Sequence, residues 1–248
     1  HYGLPTYSNL HEITKIDVGF SGSLLDNQQS PVDTFIEAAE DPLKMGGILQ
    51  LPPGFGKTVI ALYIISKLQS KTLIVVHKEF LMNQWIERIQ QFLPKARIGK
   101  IQGQIIDIDD KDIVIGMLQS LSMKDYPSTL FDSFGFTIID EVHHISSETF
   151  SNALFKMVTK YMLGLSATMN RKDGTTKVFK MFLGEVVYKQ ERSKDENVIV
   201  RGITYQTKDE EFNELELDFR GQTASSKMLS KICNYNRRTE FIIKILKD

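Results

Sequence analysis

The stretch LPPGFGKT (Leu51–Thr58) follows a short apolar run, GILQL (47–51). It precedes a segment in which Ile60, Ile64 and Leu68 recur every four residues with Ala61 and Ile65 beside them. A strand, a glycine-rich loop and an amphipathic helix in that order make a phosphate cradle, because the loop amides and the helix N-terminus point at one spot. Gly54 and Gly56 permit the tight backbone path and the close approach of phosphate oxygens. Lys57 is placed to reach the β- and γ-phosphates of a nucleotide, and the Thr58 hydroxyl to ligate Mg²⁺; Pro53 and Phe55 complete the loop. The strict pattern GxxxxGK[ST] starts with glycine where this chain has Leu51, so a plain Gly-rich turn opening a helix is the alternative.

The same alternation runs from Gly46 to Tyr188. TLIVV (72–76), DIVIGM (112–117), FTIID (136–140), YMLGLS (161–166) and EVVY (185–188) read as buried strands. Leu81, Trp85, Ile89 and Leu93 mark a helix stopped by Pro94, and Phe150, Leu154 and Val158 mark another. Strands alternating with helices predict an α/β fold: a mostly parallel sheet covered by helices on both faces, with functional loops beyond the carboxyl ends of the strands. Trp85 and Leu81 read as core. Residues 1–23 show little period and form a preamble to the domain at 24–190. Residues 191–248 hold a strand candidate, Val198–Tyr205, an acidic linker and a helix over 226–246, too little to bury a core, so they are expected to open a second domain.

Composition narrows the classes further. Thirty Lys+Arg against 31 Asp+Glu leave a net charge of −1, so any polyanion site must be local. One cysteine, Cys233, excludes an internal disulfide and a Cys-rich zinc site, which favours a reducing, intracellular compartment. No apolar run approaches the roughly 18 residues that span a bilayer, so no membrane partner is expected. The chain opens on His1 without a secretory pattern or an initiator Met, and is expected to be a piece of a longer protein.

Two further segments follow strands. In IIDEVHH (Ile138–His144) two carboxylates close an apolar run; beside a phosphate loop, Asp140 would bind Mg²⁺ through water and Glu141 would orient and deprotonate an attacking water. Alone, the segment is equally an acidic loop with two solvated histidines. In GLSATMNRKDG (Gly164–Gly174), Ser166, Ala167 and Thr168 supply small hydroxyl-bearing positions able to bond the carboxylates or His143 and to sense the γ-phosphate.

Taken in order, LPPGFGKT, DEVH and SAT resemble motifs I, II and III of a superfamily 2 DExH-box helicase or translocase. The resemblance covers Leu24 to Tyr188 and extends more loosely over NYNRR (Asn234–Arg238). It implies a RecA-like P-loop lobe, catalytic Lys57, Asp140 and Glu141, Mg²⁺ held by Thr58 and Asp140, and ATP as the nucleotide. LLDNQQSPVDTF (Leu24–Phe35) is similar to the family's LRxYQxxAxxxF segment, with Gln29 at the adenine-reading position and Asp26 where Arg is usual. VHKEFLMNQW (Val76–Trp85), IGKIQGQ (Ile98–Gln104) and VIGMLQSL (Val114–Leu121) look like the family's nucleic-acid motifs, which points to His77, Lys78, Gly103, Gln119 and Ser120 along the strand path. His143, Ser166, Ala167 and Thr168 would couple nucleotide state to nucleic-acid grip.

DEVHH and SATMNRKDG are similar to the XPB-like branch and to helicases of large DNA viruses of the asfarvirus and poxvirus type. That implies DNA more readily than RNA as partner, and a virus factory, a virion or a nucleus as location. No arginine-finger segment of a second lobe occurs before Asp248, so a second RecA-like lobe in cis is expected beyond it. A lobe that holds nucleic acid or a protein partner without turnover is the rival reading.

Overall fold

The computed structural model describes residues 13–142, 147–155, 157, 159–168, 176–191 and 202–247, and divides the chain into a unit spanning 1–193 and a unit spanning 194–248. The first unit is an eight-stranded sheet with β1 Gly46–Gln50, β2 Thr72–Val76, β3 Ile98–Gln102, β4 Ile105–Asp107, β5 Ile113–Met117, β6 Phe136–Ile139, β7 Tyr161–Ser166 and β8 Val186–Lys189. The spatial order is β4-β3-β5-β2-β6-β7-β1-β8. Every pairing between these strands is parallel except β3 with β4, an antiparallel hairpin turned at Gly103–Gln104.

Helices α1 Asp26–Glu40, α2 Lys57–Leu68 and α3 Glu79–Phe92 cover one face. Helices α4 Leu118–Met123, α5 Ser147–Leu154 and α6 Thr176–Leu183 cover the other. The period of two along each strand sorts its side chains. Leu49, Ile74, Val76, Phe136 and Ile138 pack under the first layer with Phe35, Ile60 and Trp85. Ile48, Leu73, Val75 and Ile139 pack under the second with Leu121, Leu154 and Phe179. Because both faces are covered, the central strands are apolar throughout: all five residues of β2 are buried.

The structure departs from the sequence expectations at several points. Ile98–Gln104, which resembles a nucleic-acid motif and is not among the strand candidates, mostly forms β3, an alternating half-buried strand near the sheet edge, with Gly103 in the hairpin turn. The preamble also differs in its described part, 13–23. Ile16 and Val18 are buried in the core, the Ile16 amide donates to the Gln69 carbonyl, and the Gln69 side chain brackets Val18, accepting from its amide and donating to its carbonyl. Phe20 stacks on Phe92 at 5.4 Å and meets Tyr63 edge-on at 5.1 Å. Helix α5 stops at Leu154, and Val158 lies outside the described residues.

In the second unit, part of the strand candidate at 198–205 lies outside the described residues, and 202–205 takes no strand. A short turn, α7 Glu210–Asn213, follows. The single helix expected over 226–246 is two, α8 Ser225–Asn234 and α9 Asn236–Lys247. Tyr235 breaks the run because its backbone is extended at φ −76° and ψ 103°, while its hydroxyl donates to Asp209 Oδ2 at 2.6 Å.

Candidate active site

The loop after β1 reaches α2 through Gly54 at φ 80° and Gly56 at φ 92°, backbone angles that L side chains rarely adopt. A side chain at Gly54 would meet nothing within 4 Å, so its space is open to a ligand; one at Gly56 would collide with the Gln28 amide. This is a cradle that fits phosphate, with the first amides of α2 and the Lys57 ammonium at its floor.

Of the two adjacent glutamines, Gln28 and not Gln29 meets the phosphate loop. The amide expected from Gln29 points elsewhere: Gln29 is exposed and its Nε2 donates to Asp33 Oδ1 at 2.7 Å. Gln28 is 4% exposed, accepts from the Leu25 amide, and donates from Nε2 to the Phe55 carbonyl of the phosphate loop at 2.9 Å. Helical phase is the reason. Gln28, Pro31, Val32 and Phe35 lie three and four residues apart on the buried face of α1, and Gln29 is one residue off it.

The two acidic residues after β6 diverge. Asp140 continues the strand's alternation, so it falls on the face of Phe136 and Ile138, the face that α3 covers. Its amide donates to the Val75 carbonyl, and its Oδ2 accepts a 2.8 Å hydrogen bond from Trp85 Nε1. Burial raises the Asp140 carboxyl above its ordinary range; the Trp85 hydrogen bond opposes that, the negative charge of Glu141 adds to it, and Lys57 opposes it. Glu141 then takes a left-handed backbone, φ 49°, uncommon for a residue with a side chain, and turns back toward the phosphate loop. Its Oε1 lies 2.9 Å from Lys57 Nζ, both side chains being largely buried. Lys57, Asp140 and Glu141 are therefore brought together. Thr58 follows Lys57 in the first turn of α2. A hydroxyl and a carboxylate are oxygen donors of the kind Mg²⁺ takes while keeping most of its waters, so Thr58 and Asp140 are the residues that would hold it.

Ser166 ends β7 beside β1. It is fully buried, its carbonyl accepts from the Leu51 amide at 2.8 Å, and its hydroxyl donates to the Thr168 carbonyl at 2.6 Å. The segment holding Ala167 and Thr168 is thus joined through backbone to the root of the phosphate loop. His143, its expected partner, lies outside the described residues.

The five residues expected on a nucleic-acid path lie on two loops, 77–78 and the turn at 103, and on the first turn of α4. Gln119 Nε2 donates to the His77 carbonyl at 2.9 Å, and the Gly103 amide donates to Ser120 Oγ at 2.9 Å. Lys78 is exposed with its ammonium 5.8 Å from the centre of the Phe80 ring. Two residues that motif reading missed brace the group: Lys124 donates to the Gly103 carbonyl, and the Tyr126 hydroxyl donates to the Ser120 carbonyl at 3.2 Å.

A parallel sheet with this phosphate loop and a paired acidic motif at its carboxyl edge defines a RecA-like helicase ATPase domain. The chain belongs to the family described as type III restriction enzyme, res subunit, whose model matches residues 21–171. It is 35% identical over 235 residues to a protein of Acanthamoeba polyphaga mimivirus named as an ATP-dependent RNA helicase, covering 94% of this chain and 44% of that one. A like-named protein of African swine fever virus is 34% identical over 143 residues, 55% of this chain and 28% of its own length. The chain thus spans less than half the length of these relatives. Among solved structures, the Sulfolobus solfataricus SWI2/SNF2 ATPase core in complex with double-stranded DNA superposes with a TM-score of 0.56 at 19% identity, over 69% of this chain and 38% of that one, a likeness of fold. No helix among the described residues is long and apolar enough to cross a membrane.

Proposed function

We propose that this chain is the nucleotide-binding lobe of a nucleic-acid-stimulated ATP-driven motor, a helicase or translocase. The convergence of Lys57, Asp140 and Glu141 on one glycine cradle carries the reading. Thr58 and, through water, Asp140 would hold Mg²⁺, which would supply neutralisation of phosphate charge. Lys57 leaves its pair with Glu141 to meet the phosphates, and the released Glu141 carboxylate orients water and accepts its proton at Oε1. Gln28 reads the adenine edge while fixing Phe55. Ser166 to Thr168, together with His143, couple the phosphate state to the segments bearing His77, Lys78, Gly103, Gln119 and Ser120, which bind phosphates of the track.

The partner we propose is DNA in preference to RNA, in an XPB-like motor acting inside the cell, in a virus factory if the chain is viral. The DEVHH and SAT-to-DG segments support that branch, the named viral relatives support the setting, and the double-stranded DNA of one structural neighbour supports the partner. A second RecA-like lobe in cis would supply the arginine that stabilises transition-state charge, worth on the order of 10³–10⁵ in rate in related P-loop systems. The test is steady-state ATP hydrolysis with DNA or RNA, single- and double-stranded, on this chain and on a longer preparation. The longer one is expected to turn over faster with DNA, losing the stimulation as salt rises. Hydrolysis indifferent to any nucleic acid in the longer protein would overturn the motor reading.

A further inference from the structure

Trp85 is the seventh residue of α3, well outside the phosphate loop and the acidic motif, and its packing alone would satisfy a core role: it is 1% exposed among Ile60, Ile89 and Ile138. Yet an indole in a purely structural core seeks any acceptor for its N–H, and this one reaches the Asp140 carboxylate, across the layer between α3 and the sheet. Asp140 is itself 7% exposed, so little water competes for its oxygens. A carboxylate at a strand end is free to rotate about its last bond. A hydrogen bond to one oxygen from a ring locked on every side removes that rotation.

We infer that Trp85 is a positioning residue for the magnesium site: its Nε1–H fixes the Asp140 carboxylate in the orientation that receives the metal's water. The inference rests on the reading of Asp140 as the magnesium carboxylate and adds a residue to it. A group of this kind acts through the ligand it holds, and removing such partners typically costs 10- to 100-fold in metal affinity or activity. Trp85 is also the single tryptophan of the chain, so its own emission reports on the site.

The experiment titrates Mg²⁺ into this chain with a fluorescent ADP analogue, in parallel with the nucleotide alone in EDTA, and follows Trp85 emission. In the unsubstituted chain the emission should change over the same Mg²⁺ range as the nucleotide signal. Trp85→Phe should raise the half-saturating Mg²⁺ roughly tenfold while nucleotide affinity in EDTA stays within twofold. Benzothienylalanine at position 85, which keeps the bicyclic shape and lacks the donor, should reproduce the Phe result, and a ring-fluorinated tryptophan, which keeps the donor, should not. If the benzothienyl protein takes up Mg²⁺ like the unsubstituted chain, Trp85 serves packing only and the inference is overturned. Asp140→Asn separates the two levels. If it leaves the Mg²⁺ dependence intact, the assignment of Asp140 fails and the role of Trp85 falls with it; if it abolishes the dependence while the isostere does not move it, only the role of Trp85 fails.

Discussion

In the first unit β2 buries all five of its residues, and Trp85, Phe35 and Phe136 are closed off from solvent. In the second unit neither α8 nor α9 buries a residue, and Leu229, Ile243 and Leu246 stand 63, 46 and 79% exposed. A hollow of about 510 Å³ opens between Ile203–Tyr205 and α9, lined by Phe212, Phe241 and Ile242 and also by Thr204 and Arg238. Both regions carry amphipathic helices. The difference lies in what covers them: an apolar stripe stabilises only against a second layer, and in the first unit the sheet is that layer. The phosphate loop, the acidic pair and the loops at the carboxyl edge all belong to the covered unit. The chemistry should therefore respond to changes there in large steps, and stability should divide unequally between the two.

The largest expected effect is at Lys57. Lys57→Ala removes the cation aimed at the phosphates and should cut hydrolysis by at least about 10²–10³-fold, as loss of one preorganised electrostatic group does. Undiminished turnover by the complete protein would place the active site elsewhere. Glu141→Gln comes next. The amide keeps the shape and cannot accept the water's proton, so turnover should fall by roughly 10²–10⁴-fold with ATP binding retained. Equilibrium binding and single-turnover hydrolysis check the two parts separately; lost binding with normal chemistry in the remainder would make Glu141 structural.

A smaller effect tests the contrast between the units directly. Residues 1–193 alone should melt cooperatively within a few degrees of the whole chain. Residues 194–248 alone should show no cooperative transition, because about 55 residues with exposed helix faces bury too little apolar surface to fold unaided. Calorimetry on the two fragments decides. A sharp melt of the smaller one would mean that its helices close a core of their own.

How much of this was legible follows the same physics. The buried strands announced themselves as runs of Val, Ile and Leu, and the phosphate loop as glycines between a strand and a helix. The hairpin β3–β4 did not, since its half-buried alternation, with Lys100 and Gln102 facing outward, is too short and too polar to outweigh a loop reading. Gln28 was legible: laid on Leu24–Phe35, the pattern LRxYQxxAxxxF has its glutamine at position 28, and the phase of α1, with Val32 and Phe35 buried against the sheet, agrees with that spacing. Trp85 read correctly as core, and its second contact required knowing that the alternation of β6 carries Asp140 to the face α3 covers. The break at Tyr235 had a local signal in the flanking Asn234 and Asn236, residues that favour helix ends, while the hydrogen bond from Tyr235 to Asp209 had none.

The smallest expected effect lies at the opposite edge of the same sheet and tests whether the first unit is held by its own contacts. Asp112, at the foot of β5, has a side chain 8% exposed; it accepts from the Arg97 amide at 2.8 Å and from Arg97 Nε and Nη2 at 3.0 and 2.8 Å. The hydrogen bonds from Arg97 hold the Asp112 carboxyl below its ordinary value against its burial, and Lys71 nearby acts in the same direction. A carboxyl whose folded value is depressed takes up its proton more readily in the unfolded chain. Its contribution to stability is then complete above the unfolded value, about 3.9, and is lost as pH falls through the lower folded value. Asp112→Asn removes the charge and turns an N–H₂ toward donors, so the variant should melt a few degrees below the parent at neutral pH. The gap should stay constant from about pH 8 to pH 5 and narrow as pH drops below about 4, where the parent loses the charge as well. Melting curves of both proteins across that range make the measurement. A gap that persists unchanged to about pH 3 would show that the charge of Asp112 contributes nothing to stability.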